Sequence, residues 1–163
     1  MSKSINRVKQ AALSAGIEID VRRMGQSTRT AEEAANQCGC AVDQIVKSLI
    51  FQGKSSRKLY LFLVRGSKRL DLGKASAAAG EALERADVQT IRDVTGFAIG
   101  GVSPIGHLSP IASFADRGLT GFATVWAAAG AHDAVFEAEP AALLAAANAV
   151  LSDIATSDST GGK

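Results

Sequence analysis

One lysine of this sequence lies in a run of strand-forming residues, where a positive charge is unusual. Lys47 belongs to the segment Ile45–Phe51, which is otherwise apolar apart from Ser48. Alternation along a strand places Lys47 on the same face as Leu49 and Phe51, so its ammonium lies in or beside a buried surface. Because burial of an unpaired ammonium is costly, two interpretations remain open. Lys47 either lines a pocket and meets an anionic or carbonyl group of a ligand, or reaches water near the strand end.

A second candidate is the glycine-rich segment, residues 96–107, which reads Gly-Phe-Ala-Ile-Gly-Gly-Val-Ser-Pro-Ile-Gly-His. Glycine lets the backbone adopt positive φ and lets a ligand approach the peptide groups closely. Pro104 restricts Ser103 to an extended conformation, and backbone N–H groups around Gly100 and Gly101 could point at a carbonyl or a developing oxyanion. A structural turn would explain the same glycines. The segment matches neither the Walker A motif nor the dinucleotide-binding pattern.

A side-chain nucleophile is harder to find. The sequence contains no Gly-x-Ser-x-Gly elbow, and Cys38 and Cys40 fall at a predicted helix end with no evident base partner. His107 ends the glycine-rich segment and could act as a general base, although a lone histidine is more often a hydrogen-bonding scaffold residue. His132 and Asp133 could line a site, but this pair is also common in turns.

Metal and cofactor chemistry have little support. The chain holds two cysteines and two histidines, which are too few ligands for a convincing zinc site. Cysteines separated by one residue make a poor structural disulfide, so we expect Cys38 and Cys40 to be reduced thiols at a helix end. We therefore predict no metal and no cofactor.

The charge of the chain is nearly balanced, with a formal net value of +2. Composition alone therefore does not indicate a nucleic-acid-binding protein. Lys and Arg nevertheless form three clusters in the first half of the chain, which could contact phosphates. Solvated turns beside strands would produce the same pattern. The clusters are Arg22 with Arg23, then Lys54 with Arg57 and Lys58, then Arg65 with Lys68 and Arg69.

Apolar spacing and capping residues predict the elements that position these features. The predicted helices cover residues 4–15 before Gly16, the stretch from the capping box Thr30-Ala31-Glu32-Glu33 to Gly39, the stretches after Asp71 and from Asp87 to Gly96, and a last helix from Pro140 that carries Leu143, Leu144, Ala147, Val150, Leu151 and Ile154 on one stripe. The predicted strands are Ile17–Met24, Ile45–Gln52, Leu59–Val64, Ile111–Phe114, Phe122–Trp126 and Ala134–Glu137. The strand Leu59–Val64 is apolar on both faces, which predicts a central position in the sheet, next to its hairpin partner Ile45–Gln52.

The length and composition bound the class of protein. A chain of 163 residues with 47% hydrophobic residues fits one α/β domain with a substantial core. No apolar run approaches the roughly 18 residues needed to cross a bilayer, and the first residues lack the apolar centre of a secretion signal. We therefore expect a cytoplasmic protein. The predicted domain spans residues 1–155, and residues 156–163 are predicted to form a disordered tail.

Together these features resemble the YbaK/ProXp family, the editing-domain superfamily also found inserted in bacterial prolyl-tRNA synthetases. The resemblance is most specific over Gly96–Gly106. It extends to the Thr30-Ala31 helix start, the Val46-Lys47-Ser48-Leu49 strand, the Leu70-Asp71-Leu72 helix entry, and Thr124-Val125-Trp126 followed by Gly130. It covers roughly residues 4–150.

The resemblance implies a compact α/β fold in which a mixed sheet curls into an irregular barrel surrounded by helices. It also implies a free-standing deacylase that hydrolyses the ester between a noncognate amino acid and the 3′ end of tRNA. Lys47 is the implied catalytic residue, where it would hold the 3′-terminal adenosine and its phosphate. The implied substrate-binding residues are Thr30, Ser48, Gly100, Gly101, Val102, Ser103, Pro104, Gly106, His107 and Gly130.

The missing nucleophile agrees with this chemistry, because an aminoacyl ester is already activated and needs positioning and oxyanion stabilisation. Water, oriented by the glycine-rich segment, could attack, and a cysteinyl substrate could use its own thiol. Other family members carry a different polar residue at the position of His107, which could tune specificity. The amino acid removed stays open among alanine, cysteine, serine and 2-aminobutyrate.

The resemblance implies aminoacylated tRNA as the partner, with tRNA for proline as the expected species and prolyl-tRNA synthetase as a further candidate. We expect no membrane association and a monomer. Two other classes of function stay open. One is a non-catalytic module that binds aminoacyl-tRNA or a synthetase, and the other is a metal-independent esterase for small acyl compounds.

Overall fold

The helices surround a mixed sheet in a single α/β domain. The structure is a computed structural model, and it describes residues 3–25 and 30–156. Within these ranges the α-helices are α1 (Lys3–Ser14), α2 (Ala31–Cys38), α3 (Leu72–Ala79), α4 (Val88–Thr95) and α5 (Pro140–Ala146). Two short 3₁₀ helices lie at Val42–Gln44 and Arg117–Gly121.

The strands form two separate sheets. They are β1 (Arg22–Arg23), β2 (Val46–Gly53), β3 (Leu59–Arg65), β4 (Leu83–Arg85), β5 (Ala112–Asp116), β6 (Val125–Ala128), β7 (Ala134–Ala138) and β8 (Ala149–Ser152). The larger sheet has the order β4-β2-β3-β5-β8, and the smaller has the order β1-β7-β6. In the larger sheet β2 pairs antiparallel with β3 and β4, whereas β5 pairs parallel with β3 and β8. The predicted mixed α/β domain is confirmed.

The predicted barrel is wrong. In the described part of the chain, β4 and β8 are the two edges of the larger sheet and do not pair with each other. The two sheets meet through an isolated parallel bridge between Ile45 and Trp126. Because a barrel requires a continuous ladder of hydrogen bonds around its wall, this single bridge leaves the sheet open.

Strand β3 lies at the centre of the larger sheet, as its sequence predicts. Its side chains from Leu59 to Val64 are all buried. Leu61 and Leu63 join the main core, which also contains α1, α4 and α5 residues. Phe62 and Val64 join a second cluster on the opposite face, beneath α3. Burial on both faces explains the nearly continuous apolar run of this strand.

The predicted helix caps are confirmed. The Thr30 hydroxyl accepts from the Glu33 N–H at 3.1 Å, and the Glu33 carboxylate accepts from the Thr30 N–H at 3.3 Å, which is the reciprocal pair of a capping box. Asp71 and Asp87 cap α3 and α4 through their carboxylates alone, which accept from the third backbone N–H at 3.1 and 3.0 Å. Gly39 follows α2 with φ of 71°.

The last helix is shorter than its sequence predicts. Helix α5 ends at Ala146, and Asn148 takes a positive φ of 53° before β8 begins. The apolar stripe assigned to one helix over residues 140–154 is therefore wrong beyond Ala146. Val150 and Leu151 lie on β8 and are 58% and 44% exposed. Parallel pairing of β8 with β5, from Ser113↔Ala149 to Asp116↔Ser152, determines this outcome, because a strand gains hydrogen bonds from a distant partner that local spacing does not reveal.

Other boundaries differ less. The predicted strand Ile17–Met24 is reduced to Arg22–Arg23, which pairs with β7. The predicted strands near residues 111, 122 and 134 are present as β5, β6 and β7, each shifted by up to a few residues.

Among the described residues no helix is long and apolar enough to cross a membrane. Of the predicted tail, residues 157–163 lie outside the described residues, and the domain bounds 1–155 stay a prediction.

Candidate functional site

A pocket of about 300 Å³ lies between the start of β2, the start of α2, β6 and the glycine-rich segment. We call it the Lys47 pocket. Its volume falls at the lower end of the range for small-molecule sites, about 300–1,000 Å³. Most of its wall is apolar, with a few polar groups that could orient a ligand. The lining residues are Thr30, Ala31, Ala34, Ile45, Val46, Lys47, Ser48, Leu49, Ile99, Gly100, Val102, Trp126, Ala127, Ala128, His132, Ala134 and Val135.

Lys47 lines this pocket and is partly buried. Its ammonium donates a hydrogen bond to the backbone carbonyl of Lys68, in the turn after β3. Burial lowers the pKa of Lys47 below its ordinary value of 10.5, and nearby Arg69 lowers it further, whereas Glu32 and Asp43 act in the opposite direction. The ammonium therefore has a protein partner for one of its three N–H donors. Both interpretations of the Lys47 position agree in part with the structure. Lys47 lines the pocket, and it lies at the second residue of β2, near the strand end.

Ser48 presents a buried hydroxyl on the neighbouring position of β2. Its Oγ is the one buried side-chain polar atom without a hydrogen-bond partner in the described part of the chain. A buried hydroxyl without a partner is unfavourable in the unliganded protein. Because Ser48 lines the Lys47 pocket, a ligand in that pocket could supply the missing partner.

The start of α2 forms another part of the pocket wall. Thr30 lines the pocket, and its hydroxyl oxygen accepts from the Glu33 N–H within the capping box. Ala31 and Ala34 from the same helix provide small apolar surface. The helix N-terminus adds a partial positive charge on this side of the pocket, which favours an anionic ligand group.

The glycine-rich segment contributes three residues to the pocket lining: Ile99, Gly100 and Val102. Gly100, with φ of 91°, and the buried Val102 line the Lys47 pocket. Between them, Gly101 donates its N–H to Ala98 O at 3.0 Å, so that N–H is used within the loop. A Cβ at Gly101 would lie 2.9 Å from the Cα of Ala131. Gly101 therefore allows close packing of the loop against the segment that carries His132.

The last residues of the segment, 103–107, lie away from the pocket. Ser103 and Pro104 are buried, and the Ser103 hydroxyl accepts from the Ile105 N–H at 3.3 Å. Gly106 and His107 line a separate cavity against α1. These residues support the shape of the loop, and among the described residues they do not border the Lys47 pocket.

His107 occupies a scaffold position. Its Nε2 lies 2.7 Å from the Ser103 carbonyl oxygen, and its ring meets Phe97 edge-on with centroids 5.9 Å apart. Burial lowers the pKa of His107, and the hydrogen bond to Ser103 opposes that change. The geometry provides no contact between His107 and the Lys47 pocket, which agrees with the scaffold interpretation rather than that of a general base.

Gly130 also lies outside the pocket. It has φ of 97°, and a Cβ there would lie 2.8 Å from the backbone of Ser4. Its absence of a side chain lets the β6–β7 connection pack against the start of α1.

Most of the lining residues, among them Ile45, Ile99, Trp126 and His132, were not among the site residues predicted from the sequence. The sequence indicates two of these residues weakly. Trp126 belongs to a segment that resembles the family, and His132 is a residue type that could line a site. Ile99 is 62% exposed at the pocket mouth, an unusual position for a large apolar side chain in a glycine-rich loop. Arg22 lies outside the pocket lining, but its guanidinium stacks 4.9 Å above the Trp126 ring, a cation–π contact.

Cys38 and Cys40 are free thiols. Burial, followed by the neighbouring Cys40, raises the pKa of Cys38 to about 11, which makes it a poor nucleophile at neutral pH. The described residues contain no cluster of three or more His, Cys, Asp or Glu side chains suited to a metal ion.

Comparisons with known proteins agree with this geometry. A family model described as the aminoacyl-tRNA editing domain matches residues 26–146. The uncharacterized protein YwhH of Bacillus subtilis is 30% identical over 123 residues, which are 76% of this chain and 78% of that protein. The proline–tRNA ligase of Thermosipho melanesiensis is 35% identical over 94 residues, which are 57% of this chain and 16% of the ligase.

A solved structure is similar over nearly its whole length. It is the crystal structure of a proposed trans-editing enzyme for prolyl tRNA synthetase, with 45% sequence identity and a TM-score of 0.89. The similarity covers 96% of this chain and 99% of that one.

Proposed function

The chain belongs to the aminoacyl-tRNA editing domain family, and from that premise we propose that it is a free-standing deacylase for mischarged tRNA. Its substrate is a small noncognate amino acid esterified to tRNA for proline. Alanine, cysteine, serine and 2-aminobutyrate are the candidates, because they differ by a methylene, a hydroxyl or a thiol. Similarity to a region of a proline–tRNA ligase and to a proposed trans-editing enzyme supports the choice of tRNA.

The observation that carries this proposal is the composition of the Lys47 pocket. Its lining includes Lys47, Ser48, whose hydroxyl has no partner among the described residues, and Gly100 with its positive φ, and these residues support the proposal. The aminoacylated 3′-terminal nucleotide of tRNA needs a partner for its phosphate, partners for its ester oxygens and an apolar surface for its base and side chain. The pocket offers each of these chemical groups.

Hydrolysis in this pocket needs no side-chain nucleophile. The oxygen of a water molecule forms a bond with the ester carbonyl carbon, the bond to the ribose oxygen breaks, and that oxygen leaves with a proton. The backbone near Gly100 and the Ser48 hydroxyl stabilise the negative charge that develops on the carbonyl oxygen. Lys47 holds the terminal nucleotide electrostatically, and a ribose hydroxyl of the substrate orients the water. A cysteinyl substrate could instead use its own thiol: its sulfur forms a bond with the ester carbonyl carbon, the bond to the ribose oxygen breaks, that oxygen leaves with the thiol proton, and water then opens the cyclic thiolactone.

The test is deacylation of tRNA for proline charged separately with alanine, cysteine, serine, 2-aminobutyrate and proline. We expect the protein to release one noncognate amino acid rapidly and proline slowly. Lys47→Ala should lower the deacylation rate at least about 100-fold, the scale of removing a main electrostatic group. Lys9→Ala, on the surface of α1, is the matched control because it removes the same charge outside the pocket. No deacylation of any charged species by the wild-type protein would contradict the proposal for this tRNA.

A non-catalytic module that binds aminoacyl-tRNA or a synthetase is the second candidate. It would protect the ester from spontaneous hydrolysis, whereas a deacylase accelerates its loss. The same assay therefore distinguishes the two functions. A complex with prolyl-tRNA synthetase is tested separately by co-purification, and a cytoplasmic location by fractionation of cells that express the chain.

A further inference from the structure

A second cavity, of about 530 Å³, lies on the other side of the turn that follows β3. We call it the Arg65 groove. Four cationic side chains and two carboxylates line it, and the groove is open to solvent on the surface of the domain. Its charged residues are Arg65, Lys68, Lys74, Arg117, Asp116 and Asp153.

Arg65 is held in one orientation by the fold. Its Nε donates at 2.8 Å to Asp116, whose side chain is only 5% exposed. The same carboxylate accepts from the backbone N–H groups of Arg65 and Gly118 at 3.2 and 3.0 Å. A Cβ at Gly118 would lie 2.3 Å from the Arg65 Cζ, so a larger residue there would displace the guanidinium from this orientation. Asp116 and Gly118 thus anchor the inner edge of Arg65.

The outer edge of this guanidinium remains available. Within the described residues, neither terminal nitrogen of Arg65 has a hydrogen-bond partner. Two terminal guanidinium nitrogens in a fixed plane match two oxygens of a phosphate group. Because Arg65 is already ordered by Asp116, binding of a phosphate would cost little side-chain entropy.

Two further cations extend the positive field of the groove. Arg117 is exposed, and its side chain has no ion-pair or hydrogen-bond partner in the part of the chain that the structure describes. Lys68 lines the same groove. Asp116 is satisfied by Arg65 and by backbone N–H groups, and Asp153 pairs with Lys74 at 3.1 Å, so both carboxylates are neutralised locally. The groove is therefore suited to an anion.

The Arg65 groove adjoins the Lys47 pocket. Val46 lines the pocket, and its register partner on the neighbouring strand is Arg65, which lines the groove. Paired strands lie only about 4.8 Å apart. The Lys47 ammonium also donates to the backbone carbonyl of Lys68, so the turn after β3 separates the two cavities. One polynucleotide strand could occupy both.

We propose that the Arg65 groove binds a backbone phosphate of the tRNA strand whose 3′ end enters the Lys47 pocket. This inference rests on the proposed function, because it assigns the groove to the same substrate. The groove contributes affinity and orientation for tRNA, and it does not contact the ester.

The experiment measures the affinity of uncharged tRNA for proline across a series of salt concentrations. The variants are Arg117→Ala and Arg65→Lys, the second of which keeps a cation beside Asp116 but removes the planar pair of terminal nitrogens. Arg92→Ala is the control because it removes an equal charge from the exposed surface of α4. We expect the two groove variants to bind tRNA about fivefold more weakly, and the salt slope of Arg117→Ala to fall by about one.

A second measurement uses aminoacyl-adenosine, which is too short to reach the groove. We expect the groove variants to hydrolyse it at the wild-type rate while their KM for aminoacyl-tRNA rises. An equal decrease in the rate of hydrolysis of aminoacyl-adenosine and aminoacyl-tRNA would overturn the inference, because the groove would then act through the structure of the pocket. Groove variants that bind tRNA as tightly as Arg92→Ala would also overturn it.

Competition between inorganic phosphate and tRNA at constant ionic strength tests whether the groove binds the tRNA backbone or a small anion. If inorganic phosphate binds to the wild-type protein but Arg117→Ala leaves tRNA affinity unchanged, the groove is a small-anion site and the assignment to tRNA is wrong. If the wild-type protein hydrolyses neither ester while the groove variants still weaken tRNA binding, the proposed function fails and the groove assignment stands.

Discussion

The guanidinium of Arg7, on α1, donates a hydrogen bond of 2.5 Å to the carbonyl oxygen of Gly96. The same side chain donates to Gly106 O at 3.4 Å and stacks 5.1 Å above the Phe97 ring. One arginine therefore ties both ends of the glycine-rich segment to α1. The N-terminal helix lies before residues 26–146, which the family model matches, yet it holds the loop that borders the Lys47 pocket.

Arg7→Ala is expected to loosen this loop. Removal of the guanidinium deprives the Gly96 and Gly106 carbonyl oxygens of their arginine donor and leaves Gly96 O only the 3.4 Å bond from the Ser4 hydroxyl, which should lower the free energy of unfolding by about 1–3 kcal/mol. Displacement of Gly100 should slow deacylation about tenfold, since small errors in position are costly for catalysis. The measurements are denaturant unfolding and single-turnover deacylation.

Two controls accompany the Arg7 substitution. Arg92→Ala removes an exposed arginine and should leave the free energy of unfolding and the deacylation rate unchanged. Arg7→Lys should retain part of both the stability and the rate because it keeps one donor. A wild-type deacylation rate in Arg7→Ala would show that the loop does not depend on α1.

Ser48→Ala should separate stability from activity. The Ser48 hydroxyl is buried and has no partner among the described residues, so its removal should leave the free energy of unfolding unchanged or raise it by up to about 1 kcal/mol. Deacylation should fall about tenfold if the hydroxyl bonds to the substrate in the transition state. Thermal unfolding and kcat/KM are the two measurements.

Ser113→Ala is the matched control for Ser48. Its hydroxyl is bonded to Ile111 O at 3.2 Å, so its removal should destabilise the fold by about 1 kcal/mol without slowing deacylation. Equal destabilisation by the two substitutions would show that the Ser48 hydroxyl has a partner in the folded protein.

The activity of the wild-type protein should decline at alkaline pH. Burial lowers the pKa of Lys47 below 10.5, and the proposed clamp requires the charged ammonium. Activity should therefore be complete at neutral pH and decrease as pH rises through the lowered pKa. Lys47→Arg should lack this alkaline decline if it retains activity, because a guanidinium stays protonated. The measurement is the pH dependence of deacylation, corrected for spontaneous ester hydrolysis, and identical profiles for the two proteins would contradict the prediction.

Lys47→Met should stabilise the fold at neutral pH while it abolishes deacylation. The folded-state pKa of Lys47 lies below the value in the unfolded chain, so the unfolded chain binds more protons between the two values. The stability contribution of this group is complete above pH 10.5 and is lost as pH falls through the folded-state pKa. The free energy of unfolding of wild type and variant should therefore differ at neutral pH and converge at alkaline pH. A variant less stable than wild type at neutral pH would contradict this account.

His107→Gln should retain deacylation within about threefold, since His107 lies against α1 and Ser103 rather than at the Lys47 pocket. Burial lowers the pKa of His107 below 6.5, so its contribution to stability is complete above pH 6.5 and is lost as pH falls through the lowered pKa. Denaturant unfolding should show that the free energy of unfolding decreases less for the variant than for the wild-type protein as pH falls from neutral to mildly acidic values. Loss of deacylation in a stable His107→Gln protein would restore the general-base hypothesis.

Several features of the fold could be predicted because they depend on neighbours in the chain. The capping box of Thr30 and Glu33 joins residues three positions apart, and the caps at Asp71 and Asp87 have the same range. The continuous apolar run of β3 likewise indicates burial on both faces.

The candidate site was predictable in part. Thr30, Lys47, Ser48, Gly100 and Val102 do line one pocket, but their assignment came from resemblance to a family rather than from periodicity. Ile45 and Trp126 were not predicted as pocket residues because their positions depend on the bridge between the two sheets. His107 was placed with the site by its position in the segment, although the loop turns it toward α1.

Local patterns in the sequence predict where most helices begin, which strand is central, and which residues are chemically unusual for their surroundings. Capping bonds and side-chain periodicity act within a few residues, so the sequence contains them directly. Three features depend on tertiary packing: residues 149–152 form a strand, the sheets stay open, and Arg65 contacts Asp116, 51 positions later in the chain. These outcomes arise from pairing between distant segments, whose free energy depends on the whole packed arrangement and is not encoded in any local pattern.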